Sequence, residues 1–273
     1  PKNPSATFDG FGVSLLVALS VTFVYGTVQA STTGSFNNQL TVGFGALTIV
    51  ILIGYVLYAW RYPNTAVLPL RLFFYFNFSG AMLGNLLAGF ITSGPMILLP
   101  LFFQDVRGES VIMAAVSLIP QSVGMLVSRG TIGKLIDTIG ARWVVITGTV
   151  LTIISTLPFV FFDAQTAYWL IAIVMFVRGV GGAAVKSAIQ ADAYVGIDRA
   201  DSGKASLGSN LFQQVGSAFG SAVLATLVAG FVSAHHIVQT AQLLGAYQYA
   251  FAWGTVFVGL MIVPAFMLTH KVK

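Results

Sequence analysis

The sequence predicts an all-α, polytopic membrane protein with about eight transmembrane helices, and three observations predict it. Charged residues make up 8% of the 273-residue chain and hydrophobic residues 56%, with a mean hydropathy of +0.87; a soluble domain carries roughly 25% charged residues. The apolar residues gather in non-alternating runs of about 20, the length of helix that crosses a hydrocarbon core, whereas membrane strands need alternating faces. The basic residues fall in every second connecting segment, the distribution that orients membrane helices.

The spans lie near residues 9–29, 41–60, 74–103, 111–129, 143–162, 166–186, 206–232 and 247–269. Segments on one side hold Lys2, Arg61, Arg71, Arg129, Lys134, Arg142, Lys186, Arg199, Lys204, Lys271 and Lys273, and the other side holds only Arg107, beside Asp105, Glu109 and Asp163. This bias predicts that both termini lie in the cytoplasm. The net charge of +5 is spread over short loops and builds no basic face, so nucleic acid is not an expected partner. Without cysteine, disulfides, Cys-ligated zinc and thiol catalysis are excluded. The chain begins at Pro1, and no small-residue cleavage site follows the first apolar run; the expectation is one part of a longer protein and no removable signal peptide.

Spans one and two are nearly all apolar after Asp9 and Thr41, with an uncharged linker over 31–40, and are expected to face lipid. Spans three to eight carry Gly, Asn, Gln and Ser on helical faces, as helices that pack on one another or line a cavity do. Pro63 and Pro69 punctuate the connection, dividing the chain into a two-helix unit over 1–62 and a six-helix unit over 63–273.

In span seven, Asn210, Gln214, Ser217 and Ser221 form one polar stripe, while Ser209, Gln213, Gly216 and Gly220 form a second of small or polar residues. One stripe suits a cavity and the other a close helix contact. Asn85 in span three and Gln121 in span four are further candidates for a substrate cavity, with interhelical hydrogen bonds as their alternative role. Arg178 sits about ten residues into span six, near the bilayer midplane at 1.5 Å per residue, where a charge needs a partner. Asp192, near the end of that helix, is the candidate proton or charge-relay residue, because no other acid lies near enough to a span interior. The connection between spans four and five reads as a loop in which Gly133 and Gly140 permit turns and Asp137 pairs with Lys134 or Arg142. No enzymatic site or cofactor is expected: Val185 replaces the glycine a phosphate loop requires before Lys186, and His235 and His236 are adjacent in a loop without an acidic ligand.

The sequence G-x-x-x-D-x-x-G-x-R over Gly133, Asp137, Gly140 and Arg142, set between two spans, resembles the loop signature of the major facilitator superfamily, with Ala141 where many members have a basic residue. The stretch 99–110, the run 118–124, Arg178-Gly179-Val180-Gly181-Gly182 and Gln214–Gly220 resemble its 14-helix drug:proton antiporter branch in order and spacing. The resemblance implies two linker helices followed by the C-terminal half of a multidrug efflux transporter in the plasma membrane, exchanging amphipathic or cationic compounds for protons. It also implies membrane lipid, a small-molecule substrate, protons and an N-terminal six-helix half as partners, with the main coupling carboxylate in that half. Two other readings remain open: an exporter of a lipid, glycolipid or anionic metabolite on the same fold, and a non-transporting membrane scaffold or sensor.

Overall fold

The computed structural model describes residues 9–63, 65–198, 201–235 and 243–269. Of the residues named above, Pro1, Lys2, Arg199, His236, Lys271 and Lys273 lie outside these stretches. Among the described residues eight helical units are long and apolar enough to cross a membrane, matching the expected number, and the chain is a multi-pass membrane protein.

Helix α1 (Gly10–Thr33) starts where the Asp9 carboxylate accepts the Gly12 N–H at 2.8 Å, and stops at Gly34, whose φ of 66° is the left-handed turn that terminates a helix. Helix α2 (Gln39–Arg61) returns beside it, capped by Asn38. A 3-10 turn (Leu70–Phe74) leads into α3 (Phe76–Asp105), which contains Pro95 and Pro100. The fourth span is broken at Leu118 into α4 (Val111–Ser117) and α5 (Ile119–Ile139), with Pro120 in the first turn of α5. Then come α6 (Ala141–Thr156), α7 (Tyr168–Asp192), α8 (Ser202–Ala234), α9 (Leu243–Gly259) and the short α10 (Ile262–Ala265). The side on which α1 begins is called proximal below, and the other distal.

One expectation is corrected. Residues 130–139, read as loop, continue α5 as helix to Ile139. No proline interrupts them, Ile132 and Ile136 bury one face at helical spacing, and Gly133 meets only open space. The turn is confined to Gly140, at φ 86°.

In lipid no hydrophobic force draws helices together, so close backbone approach at small residues must supply the contact. The bundle is built this way. A methyl group at Gly89 would overlap the Gln213 carbonyl of α8, and one at Gly216 the Leu86 carbonyl of α3. From Gly208 against Met82 to Gly220 against Phe90, the contacts advance together along α3 and α8, so the two helices are parallel. The α5–α7 seam repeats the device, with Gly124 against the Phe176 carbonyl and Gly179 against that of Gln121. Between α6 and α7, Gly148 and Gly181 face one another. The Gly80 and Gly84 pair packs likewise, on Met267 and Ile189. At the distal end Phe102, Phe159 and Phe251 interlock, mostly edge to face.

The α1–α2 hairpin docks on this bundle through α1, which packs along α8 with Phe23 against Phe219, and is tied at its two ends. Proximally, Asp9 accepts the Tyr58 hydroxyl at 2.6 Å and the Val67 N–H at 3.0 Å, and the Tyr55 hydroxyl exchanges hydrogen bonds with both backbone groups of Leu68. Distally, Gly34 lies against Ala229 and Gly230 of α8.

Candidate functional site

The six candidate cavity residues do not converge on one cavity among the described residues: Asn85 and Gln213 lie at the α3–α8 seam, Gln121 at the α5–α7 seam, Arg178 inside the bundle, and Asn210 and Gln214 on an exposed face of α8. Asn85 is buried in the α3–α8 seam, and its Nδ2 has no hydrogen-bond partner; the buried Ser209 hydroxyl, at a similar level of α8, also lacks one. Gln213 is half-buried there, its carbonyl against Gly89. Gln121 is half-buried at the start of α5, with its carbonyl against Gly179.

Asn210 and Gln214 lie on another face of α8 and are exposed; the Asn210 amide reaches only the Ser206 carbonyl of its own helix, at 2.9 Å. The two stripes of α8 separate only in part, since Gln213, Ser217 and Ser221 are all half-buried. Ser209, Gly216 and Gly220 are buried, while Asn210 and Gln214 remain open.

Arg178 is 5% exposed inside the bundle. Its guanidinium donates to the Thr156 hydroxyl and, at 3.3 Å, to the Ile91 carbonyl. That carbonyl is available because Pro95, four residues on, has no N–H to return to it. Proline in α3 thus creates the acceptor and α7 supplies the donor. A small void beside the guanidinium is otherwise lined by apolar side chains, among them Phe90, Leu224 and Phe251. Among the described residues no carboxylate pairs with Arg178; the ion pairs are Arg71–Asp201, Lys204–Asp201 and Arg107–Glu109.

At the proximal face, the signature residues take partners other than those expected. Arg142 does not pair with Asp137. Its guanidinium donates to the Phe266 carbonyl at 2.9 Å and to the Leu268 carbonyl at 2.9 and 3.1 Å, capping the carbonyl-rich turn after α10. Asp137 and Gly133 are exposed on α5, and Asp137 makes no ion pair among the described residues. Asp192 is fully buried and accepts both the Thr269 N–H and its hydroxyl. Asn77 donates to the Val195 carbonyl at 2.7 Å, drawing the start of α3 into the same knot.

Composition gave no hint of how closely the distal charges are organised. Arg107 and Glu109 pair at 3.0 Å with side chains only 4% exposed. Glu109 also accepts from Tyr168 and Ser117, and Arg107 donates to the Asp163 and Thr166 carbonyls while lying over the Tyr168 ring. This cluster ties the α3–α4 turn to the turn preceding α7. Hydrogen bonds from Thr166 and from the Gln165 N–H hold the neighbouring Asp163 carboxyl below its ordinary range. The available signal was the crowding of Asp105, Arg107 and Glu109 into five residues of an otherwise uncharged side.

The profile described as Major Facilitator Superfamily matches residues 10–221 and 81–272. "Efflux pump dotC" of Dothistroma septosporum is 25% identical over 66% of the chain and 32% of its own length. "Multidrug resistance protein B homolog" of Mycobacterium tuberculosis is 22% identical over 87% of the chain and 44% of its own length. "Multidrug resistance protein Stp" from the same species is 24% identical over 83% and 42%. The chain thus spans less than half the length of each of these relatives.

Proposed function

Because the chain belongs to the Major Facilitator Superfamily, we propose that it supplies two linker helices (1–62) and the C-terminal six-helix bundle (63–273) of a secondary transporter that exports amphipathic or cationic compounds in exchange for protons. The observation that carries this reading is the exposure of Asn210 and Gln214 at membrane depth. From the start of α8 at Ser202 they lie roughly 12–18 Å in at 1.5 Å per residue, inside a hydrocarbon core about 30 Å thick. Lipid solvates an uncovered amide poorly, so this face requires a polar cavity or a partner helix bundle. An N-terminal half closing over α8 supplies both. The relatives named for efflux and multidrug resistance, each more than twice as long as the part they share with this chain, support the same reading.

The mechanism we infer is alternating access, with this bundle and its missing partner rocking about a midplane site. The glycine seams make α3–α8 and α5–α7 units that move as blocks, and the break at Leu118 separates α4 from α5 within one span. Asn85, Gln121 and Gln213 are second-rank cavity residues that open only if the seams shift. Arg178 holds the Ile91 carbonyl that Pro95 frees in α3, the Asp192–Thr269 and Arg142 bonds latch the proximal ends, and the Gly133–Asp137 turn of α5 is free to meet the other half. The coupling carboxylate belongs to that half. The basic residues on the proximal side support a cytoplasmic proximal face, and the export function proposed supports the plasma membrane as its place.

The test uses the intact transporter in proteoliposomes with an imposed pH gradient and a fluorescent cation. Asn210→Leu with Gln214→Leu is expected to cut dye-dependent proton flux at least tenfold, and absence of any such flux in the unmodified protein refutes the proposal. Arg178 with neutral partners favours one second reading, an anion exporter. Under that reading Arg178→Gln abolishes movement of an organic anion and spares the cation.

A further inference from the structure

Between the α1–α2 hairpin and the bundle lies a cavity of about 530 Å³, within the size range of small-molecule pockets, roughly 300–1,000 Å³. We propose that it holds an acyl chain of a bilayer phospholipid, making a lipid a structural component that joins the hairpin to the bundle. The inference depends on the chain spanning a membrane and not on what it transports.

The walls explain why the space stays open. The hairpin is fixed at its proximal end by Asp9 and Tyr55 bonding to the backbone at 67 and 68, and at its distal end by Gly34 against Ala229 and Gly230. Between these ends α1 meets α8 through Phe23 against Phe219, while α2, packed on the far side of α1, stands off from α3 and α8 and leaves the space open. The cleft wall of α2 is the helical stripe Gly45, Ile49, Leu52 and Val56, and a methyl at Gly45 would meet nothing within 4 Å. Opposite stand Leu211 and Val215 of α8, with Leu19 of α1 at the back.

The chemistry of the lining decides the occupant. Nearly all of it is hydrocarbon; the two hydroxyls on its walls, of Thr48 and Tyr55, are already spent on the Phe44 carbonyl, Thr22 and Leu68. Water entering such a space would find too few partners to stay. A void of this size forfeits the dispersion contacts of its whole lining. Its rim residues Ile49, Leu52 and Val56 are exposed in the middle of a membrane-spanning helix, where the surrounding solvent is lipid tails. A flexible chain from that solvent fits a narrow apolar cleft open to the bilayer and needs no polar recognition.

The experiment places the intact transporter in phosphatidylethanolamine–phosphatidylglycerol nanodiscs containing a trace of phosphatidylcholine with a diazirine midway along one acyl chain. After irradiation, adducts are mapped by peptide mass spectrometry. Leu19, which is 8% exposed, and Val215 should carry adducts, with Val50 and Leu57 on the outer face of α2 serving as the bulk-lipid reference. Gly45→Trp, which fills the cleft, should lower the Leu19 and Val215 signal several-fold relative to that reference, and Gly54→Trp, on open surface, should leave it unchanged. Should Gly45→Trp fail to fold, Gly45→Leu and Leu211→Phe narrow the same space more gently. Adducts confined to Val50 and Leu57 overturn the proposal, as do cleft adducts indifferent to the filling variants. Displacement of the cleft signal by tetraphenylphosphonium also overturns it, because the cleft then belongs to transported cations.

Discussion

The six-span bundle and the two-helix hairpin meet the same solvent with opposite constructions. In the bundle, glycine removes the side chain so that backbone touches backbone, as at Gly216 against Leu86 and Gly179 against Gln121. In the hairpin, Gly43, Gly45 and Gly54 of α2 face open space, and attachment to the bundle rests on α1 packed against α8 and on end clamps, with an apolar cleft left beneath α2. Glycine abundance alone therefore says nothing about packing in a membrane helix. The atoms across from each glycine decide whether it is a contact or a gap.

The comparison breaks most readily at Gly216. Gly216→Leu drives a side chain into the Leu86 backbone, which cannot rotate away, so the cost should reach about 3 kcal/mol or more, the upper end for overpacking. Gly43→Leu should change stability by no more than about 0.5 kcal/mol, as for an open surface site. Thermal midpoints in detergent, read by fluorescence-detected size exclusion, compare the two. Equal midpoints would mean that the bundle seam has the slack assigned to the hairpin.

Next in size is the Arg178–Pro95 couple. Arg178→Met should cost about 2 kcal/mol, because the Ile91 carbonyl is left buried without a donor. Adding Pro95→Ala returns an N–H to that carbonyl within α3 and should recover about half of the loss, an interaction visible in a double-mutant cycle. Strict additivity would show that Arg178 is held by something other than the proline-freed acceptor.

The eight spans were legible because hydrocarbon enforces a length and a composition that hydropathy reads directly. Residues 130–139 depart from the loop expectation because their charge and glycine resemble turn signals, while Ile132 and Ile136 supply a buried helical face. Asp137 and Arg142 looked like mutual partners from sequence distance alone. The acceptors of Arg142 are carbonyls more than a hundred residues away, at Phe266 and Leu268, and no local pattern announces a backbone acceptor. Partners of Arg178 were hidden for the same reason, although Pro95 was a readable sign that a carbonyl nearby had lost its donor.

On the hairpin side the larger clamp is Asp9, which caps α1 and binds Tyr58 and Val67 together. Asp9→Ala removes a helix cap and two tertiary bonds. Loss of about 1–2 kcal/mol is expected. The loss should appear as earlier proteolysis between Tyr62 and Leu70, with the midpoint of the bundle unchanged. A fall in that midpoint equal to the one produced by Gly216→Leu would erase the distinction between clamp and seam.

The finest test is Tyr55→Phe. The Tyr55 hydroxyl receives the Leu68 N–H at 3.0 Å and donates to the Leu68 carbonyl at 3.2 Å, so one oxygen satisfies both polar groups of a buried residue in the connector. Phenylalanine keeps the ring, and with it the proximal wall of the cleft, while removing only that oxygen. The expected cost is about 1 kcal/mol, the net worth of a typical hydrogen bond. It falls on local opening of the connector and not on unfolding of the bundle. Hydrogen exchange at the Leu68 amide should therefore accelerate about fivefold, the factor that 1 kcal/mol represents at room temperature. Amides in the middle of α3 and α8 should keep their protection. If those amides accelerate together with Leu68, the hairpin and the bundle open as one unit, and the cleft between them is a flaw within a single core and not a joint between two.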